Sequence, residues 1–298
     1  MNGNSGIINN GGSMKISKTA VGDGATVNVP AARKKKAEKE NARHADVGVI
    51  TILAEEARAV HGVLGLERVR SGGLPFFEGT VNVRDVAVRV AAIRALAQGQ
   101  RSTMAAFENL RKHYNPAVIV LAGIGGGLHK DVSVGDVVVT GRVLYYDLRK
   151  ETPDGTRHRG DMKEAPAVIG HLINSFFTDY GEPAKLEATD AMGAVHAFRA
   201  LTGPIGSGEA VIADPKSEIT RYLETVNDKI LAVDMEAGGL MQAFHEQGEA
   251  QAALGWVVVR GISDGADTDK NDDHHGIAAR NAATALHTLL PYLAIGGS

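Results

Sequence analysis

The sequence contains no cysteine. That excludes a disulfide framework, a thiolate nucleophile and a Cys-ligated metal site. Aromatic residues are scarce, at 5% with a single Trp. Val and Ala carry the apolar runs instead, as in a parallel sheet covered by helices. Positive charge is not in surplus: 32 Lys and Arg face 35 Asp and Glu, for a net charge of −3, so no global field draws nucleic acid. No apolar run approaches the roughly 18 residues that span a bilayer. The amino terminus also lacks the apolar core of a signal peptide, and a soluble cytoplasmic protein is expected.

The 298 residues could hold one large α/β domain or two small ones. Residues 1–45 differ from the rest. They begin rich in Gly, Asn and Ser and end in a basic stretch around Arg33-Lys34-Lys35-Lys36. This reads as a flexible segment and solvated linker, ahead of a catalytic domain over 46–298.

From Asp46 onward strand and helix patterns alternate. Residues 47–53 read as a strand and 54–64 as a helix with Glu55 and Glu56 in its first turn, where acids suit the helix dipole. Residues 76–79 and 83–93 read as strands of a meander, and 99–114 as an amphipathic helix. Residues 117–122 form a buried strand leading into Gly123-Ile124-Gly125-Gly126-Gly127, and 134–140 the next strand. Residues 147–163 read as a long polar segment. A helix (166–178), strands at 203–212 and 230–233, a helix (237–246), a strand (256–262) and a closing helix (277–293) follow. The expected fold is α/β, with a mixed, mainly parallel central sheet and helices on both faces.

Four strand ends carry the candidate chemistry: Glu55-Glu56, the glycine run, Asp234-Met235-Glu236 and Ser263-Asp264. If their strands lie parallel, all four meet on the carboxyl rim, where ligands bind in open sheets. Asp264, shielded by apolar neighbours, could hold a proton for delivery, or Ser263 or Asp264 could only cap a helix. The glycine run lacks the spacing of a dinucleotide fingerprint. It would either let backbone amides approach a ligand or simply turn the chain. Glu236 suits the vicinal hydroxyls of a ribose, or is only a helix-start acid.

Taken together, VGVITILAEEARAV, VIVLAGIGGGL with VGDVVVTG, GSGEAVI, LAVDMEAGGL and VVVRGISDGAD resemble, in this order, the purine nucleoside phosphorylase and methylthioadenosine/S-adenosylhomocysteine nucleosidase superfamily. The resemblance runs from about Asp46 to Leu293. It implies a three-layer α/β/α sandwich, no metal and no organic cofactor. Asp264 would protonate the purine at N7, oriented by Ser263, with Arg260 supporting that loop. Glu236 and neighbouring Asp234 would serve the ribose, Met235 would pack under the sugar, and Ile124 and Gly125 would sit near it. Val211 and Ile212 would line the base site. The first strand ends in Leu53-Ala54-Glu55-Glu56, not the Gly-Asp-Pro type loop of the phosphorylases. That looks like the nucleosidases, in which Glu56 would activate water, with Glu55 as the fallback.

The segment after Asp264 has no apolar residue between Asp267 and His275, unlike the thioether pocket of the methylthioadenosine enzymes. Lys270, Arg149, Arg157 and Arg159 are therefore candidate 5′-phosphate contacts. The sequence is similar to nucleosidase domains of immune effectors, some of which cleave ATP. The resemblance implies release of adenine from a nucleotide or nucleoside, with ATP first and methylthioadenosine/adenosylhomocysteine hydrolysis, phosphorolysis or non-catalytic sensing as alternatives. It also implies a homo-oligomer, with the N-terminal segment as a candidate assembly element, and neither nucleic acid nor membrane as partner.

Overall fold

Side chains along the central strands alternate between two cores, and this alternation builds the layers. In the computed structural model the chain runs β1 (Val47–Thr51), α1 (Ala54–Leu64), β2 (Glu67–Ser71), β3 (Leu74–Val83), β4 (Val86–Arg94), α2 (Gln100–Tyr114) and β5 (Val118–Gly127). It continues through β6 (Val137–Thr140), β7 (Arg142–Tyr145), β8 (Arg149–Thr152), β9 (Gly155–His158), β10 (Asp161–Glu164), α3 (Ala167–Tyr180), β11 (Ala184–Thr189) and β12 (Val195–Leu201). Last come β13 (Ile205–Ser207), α4 (Glu218–Val226), β14 (Ala232–Asp234), α5 (Ala237–Glu246), β15 (Gly255–Asp264) and α6 (His275–Leu293). The structure describes residues 43–190, 192–212, 214, 216–248, 253–265 and 274–295. Residues 1–42 and Lys270 lie outside them, so the expectations placed there stand untested.

Strands β4, β1, β5 and β15 are parallel neighbours. Val47 and Val49, Val118 and Val120, and Val257 and Val259 enter one core with residues of α1, α3 and α6 such as Val60, Phe176 and Leu286. Ile50, Ile119, Leu121, Trp256 and Val258 enter the other with Phe107 and Leu110 of α2 and Leu240 of α5. A period of two with apolar residues at both phases makes a strand buried on both faces. The result is the expected α/β/α arrangement, parallel at its centre. Antiparallel strands lie outside: β3 and β2 beyond β4, and β6 beside β15. No helix among the described residues is long and apolar enough to cross a membrane.

Two expectations change. The glycine run is not a turn after a strand; β5 continues through it to Gly127. A Cβ at Gly123 would collide with the Glu56 carboxylate and the Arg260 guanidinium, and one at Gly125 would come within 2.9 Å of Val233 O. Glycine is needed there for close approach, not for bending. Second, β14 is antiparallel to β5, pairing Val233 with Gly126. The four strand ends therefore do not share one parallel rim. Asp234 joins the others because β14 pairs with the far, glycine-built end of β5.

Smaller differences have local causes. The strand read over 83–93 is interrupted at Arg84 and Asp85, whose φ values of 49° and 62° make a tight turn between β3 and β4. The polar segment 147–163 contains a separate two-stranded hairpin, β8–β9, and then β10 on the edge of β7.

Candidate active site

Arg260 lies on β15 in a run that is otherwise apolar, and it is 1% exposed. A guanidinium at that depth needs charge and hydrogen-bond partners. Its Nε and Nη2 donate to Asp234 Oδ2 at 2.9 and 2.6 Å, and Nη2 also donates to Glu236 Oε2 at 2.9 Å. Nη1 stands 3.9 Å from Glu56 Oε1. Burial works against the guanidinium charge, but Asp234, Glu236 and Glu56 outweigh it and push the Arg260 pKa up. Arg260 does not itself line the neighbouring cavity. It binds Asp234 and Glu236 directly and stands at ion-pair distance from Glu56.

Each acid is fixed by a local structural need. Asp234 ends β14 and accepts from the backbone N–H groups of Glu236 at 3.3 Å and Ala237 at 3.1 Å. It thus satisfies donors that the first turn of α5 cannot bond internally. Glu236 is the N-cap residue of α5, yet its carboxylate turns away from the helix and accepts from Gly99 N at 3.0 Å as well as from Arg260. Burial raises the pKa of Glu236; Arg260 opposes the shift and Asp234 adds to it.

Glu56 occupies the third position of α1 and reaches back to Leu53 N at 2.8 Å, the acid half of a capping box. The same Oε2 accepts from Ile52 N at 2.7 Å, and Oε1 accepts from Ile124 N at 2.8 Å. A carboxylate has about four acceptor positions. Three backbone bonds orient this one and leave one position on Oε1. The helix-start role falls on the residue that the resemblance expects to activate water. The fallback Glu55 instead meets His275, with Oε1 2.9 Å from Nδ1.

Asp264 closes β15. The β15–β5 register shifts between Ile262 and Asp264, an irregularity that re-aims the last side chain. Ser263 Oγ donates to Asp264 Oδ2 at 2.8 Å and lies 3.4 Å from Gly125 O. Glu56, Glu236 and Asp264 all line one cavity of ≈ 240 Å³. Asp234, Met235, Ser263, Ile124, Gly125, Val211 and Ile212 line it too; Val211 is 55% exposed and Ile212 buried. Sequence reasoning missed Gln98, Gly99, Ala210 and His275. The adjacent Gln100 is buried, donating to Ser207 Oγ and Gly208 O at 3.1 Å each, which anchors the segment that brings Gly99 N to Glu236. The signal for Gly99 was a glycine ahead of a helix; here its φ is 97°.

The hairpin arginines are placed elsewhere. Arg149, Arg157 and Arg159 are exposed and none lines the cavity. Arg149 Nε donates to Glu151 Oε1 at 2.9 Å, and its Nη1 stands 3.7 Å from Asp147 Oδ1. Glu151 and Asp147 answer the charge that Arg149 would offer a phosphate. Among the described residues no cluster of three or more His, Cys, Asp or Glu is arranged to hold a metal.

A family model described as the phosphorylase superfamily matches residues 46–293. The chain is 26% identical to the ATP nucleosidase Cap17 of Escherichia coli over 253 residues, covering 79% of this chain and 49% of that protein. It thus spans about half the length of that relative. It is 24% identical to the 5′-methylthioadenosine/S-adenosylhomocysteine nucleosidase of Psychromonas ingrahamii, covering 82% of this chain and 97% of that one. Among solved structures, the futalosine hydrolase of Helicobacter pylori superposes with a TM-score of 0.62 at 17% identity, covering 84% of this chain and 98% of that one. The 5′-methylthioadenosine/S-adenosylhomocysteine nucleosidase of Colwellia psychrerythraea in complex with adenine gives a TM-score of 0.63 at 18% identity, covering 84% and 96%. At these identities the structural likeness is one of fold. The matched pattern spans nearly every described element of this sheet, and the chain belongs to the phosphorylase superfamily.

Proposed function

We propose that this chain hydrolyses the N-glycosidic bond of an adenine nucleotide or nucleoside and releases adenine. The observation that carries this reading is the convergence of Glu56, Glu236 and Asp264 on one cavity. The names of two relatives, ATP nucleosidase and methylthioadenosine/adenosylhomocysteine nucleosidase, support the same reaction class.

In this reading the carboxyl of Asp264 gives its proton to N7 of the purine. The C1′–N9 bond breaks and its electron pair leaves with the base. The sugar acquires oxocarbenium character. Water attacks C1′ from the opposite face, and Glu56 Oε1 accepts its proton through the position its backbone bonds leave. Glycosidases divide the work between two carboxylates in the same way. Exchange with solvent returns a proton to Asp264 and takes one from Glu56. Glu236 accepts from the ribose hydroxyls, and Met235 packs below the sugar. The acid cluster around Arg260 carries more carboxylates than cations, so its field favours the sugar as it becomes positive.

The test is incubation of the full chain with ATP, AMP, adenosine and methylthioadenosine, with and without inorganic phosphate, reading free adenine by chromatography. Adenine release independent of phosphate is expected. Release that requires phosphate and yields ribose 1-phosphate makes the enzyme a phosphorylase, and no release from any substrate leaves a sensing module.

A second reading has its own observation. The described lining residues include Ile52, Leu53, Val211 and Ile212 but no Lys or Arg, which suits the uncharged tail of a methylthioadenosine-type substrate. Better cleavage of methylthioadenosine than of ATP selects it. If ATP is preferred, the reaction destroys adenine nucleotides, as a toxic defence effector would. We also propose that the segment ahead of the catalytic domain promotes self-association; the expected boundary at residue 45 falls too late, since Ala45 is buried in the catalytic core and Arg43 pairs with Glu78, so the segment tested is 1–41. Light scattering of the chain with and without it tests this; equal masses remove the idea.

A further inference from the structure

The end of β15 is pinned from outside the cavity. Ile262 donates to Asp136 O and accepts from Gly135 N, at 2.8 Å each. These two bonds continue the antiparallel pairing of β15 with β6, which reaches Gly261 and Val137. Asp264 stands two residues further on. On the β5 side the register shifts between Ile262 and Asp264, so that side does not fix the aim of the last side chain. The constraint comes from residues 135 and 136.

Those residues are themselves held. The buried Asp136 carboxylate accepts from Ser133 N at 2.8 Å and from Arg199 Nε at 3.1 Å. Gly135 has a φ of 91°, which favours glycine, and its carbonyl accepts from Asn281 Nδ2 at 2.7 Å. Asn281 lies on α6 and is 1% exposed. It reaches Gly135 because α6 rests directly on β15: a Cβ at Gly261 would collide with Ala278 O, and Ala278 shares a helix face with Asn281. Asn281 Oδ1 is 2.8 Å from His196 Nε2 on β12. With Nδ2 committed to a carbonyl, Oδ1 must accept, so Nε2 donates. A buried amide bonded at both ends is a rigid tie between α6, β12 and the start of β6. Asn281 does not line the cavity, yet its bonds run through Gly135 to Ile262.

We propose that Asn281, tied to His196 and Gly135, is a positioning residue for proton delivery by Asp264. This rests on the nucleosidase reading above and adds to that site a residue outside its cavity. A catalytic group must be held within about 0.5 Å of its productive place, and the tie supplies that precision.

The experiment compares two leaving groups in the full chain. Adenine needs a proton to leave. From para-nitrophenyl riboside the phenolate leaves as an anion: the C1′–O bond breaks, its electron pair goes with the phenolate, and water adds at C1′ with its proton passing to Glu56. In Asn281→Leu, kcat for adenine release should fall about tenfold to a hundredfold, as for a misplacement of about 1 Å. KM, and the rate of nitrophenolate release, should stay within about threefold of wild type. A damaged fold would lower both releases alike. His196→Leu frees one end of the amide and should give the same selective loss by a smaller factor; it decides if Asn281→Leu does not fold. A double-mutant cycle is the second readout. Asp264→Asn already lacks the proton, so adding Asn281→Leu should lower adenine release by no more than about twofold. Parallel losses for the two leaving groups, or full additivity in the cycle, overturn the proposal. If wild type leaves the nitrophenyl riboside intact, the cycle decides. A wild-type chain that releases no adenine from any substrate defeats the nucleosidase reading itself and this proposal with it, a separate outcome.

Discussion

Two regions of this protein mix arginine with acids, and they behave in opposite ways. In the first, Arg260 is 1% exposed and binds Asp234 and Glu236 beside Glu56. In the second, Arg149, Arg157 and Arg159 sit on or beside the β8–β9 hairpin, and the Arg149 side chain is 48% exposed against Glu151 and Asp147. Written as sequence, both are charged clusters within a few residues of a strand end. Water separates them. In the buried cluster each charge is held by another because solvation is gone, so geometry is fixed and charge can act on a substrate. On the hairpin, solvent screens every pair and leaves its members free to exchange partners.

The sharpest way to break this contrast is to remove the buried cation. Arg260→Met leaves Asp234, Glu236 and Glu56 without their shared partner. Breaking a buried pair in this way costs about 3–5 kcal/mol, so denaturant unfolding should show a large loss of stability and adenine release should vanish. A variant that folds with near wild-type stability would mean that the acids discharge by binding protons, and that Arg260 is replaceable.

Next in size is a change that should spare the fold. Asp264→Asn keeps the shape of the side chain and an acceptor for Ser263 Oγ, but removes the proton that the proposed mechanism gives to N7. Turnover should fall roughly 10²–10⁴-fold while the melting temperature shifts little. Glu56→Gln should give a loss of the same order in rate and also a measurable loss of stability. One carboxylate oxygen becomes an amide nitrogen that cannot accept, so either the two bonds from Ile52 and Leu53 at Oε2 or the one from Ile124 at Oε1 is lost. Equal stability losses in both variants would contradict the contrast between a residue that caps and one that only delivers a proton.

A third prediction extends the comparison to a half-buried charge. His61 stacks on Phe77, with centroids 3.3 Å apart, and its buried Nε2 has no hydrogen-bond partner. Burial lowers its pKa to about 4, with Arg68 adding to the effect. The unfolded chain binds a proton near pH 6.5, above the folded value, so stability falls as pH drops from about 6.5 toward 4. Glu236, raised by burial, pulls the other way, since its contribution is lost as pH rises through its folded pKa. The measurement is therefore a difference: urea midpoints of wild type and His61→Leu between pH 7 and 4. The two should converge or cross as pH falls, and parallel curves would show that His61 stays protonatable in the fold.

The same contrast explains what the sequence made legible. α1 and α5 keep the bounds read from their apolar spacing, and the strands on either side of β5 follow their Val runs, because burial on two faces leaves a dense pattern. Arg260 carried a readable signal as well: a lone arginine in phase with Trp256 and Val258 must meet acids on that face. β8 and β9 were not legible, since Arg149–Thr152 and Gly155–His158 present mostly exposed polar side chains with no apolar period to read. The direction of β14 was not legible either. Three residues encode no orientation, and the antiparallel pairing with β5 depends on glycines that read equally well as a turn. His275 escaped notice because its meaning lies in Glu55, 220 residues away in sequence.

The smallest effect belongs to the hairpin. Replacing Arg149, Arg157 and Arg159 together by Ser removes three positive charges, and a phosphate-binding role would make that costly. The placement argues otherwise. Asp147, the acid facing Arg149, also accepts from Glu209 N, so the segment leading to Ala210 and Val211 keeps its anchor when the arginine goes. Exposed pairs are worth about 0–1 kcal/mol, and surface substitutions usually stay within about 0.5 kcal/mol. The triple variant should melt within a few degrees of wild type and keep kcat/KM for AMP within about threefold. A tenfold loss confined to AMP and ATP, with adenosine unaffected, would mean that the hairpin reaches the 5′ end after all. Phosphate recognition would then belong to a solvated surface rather than to the cavity itself.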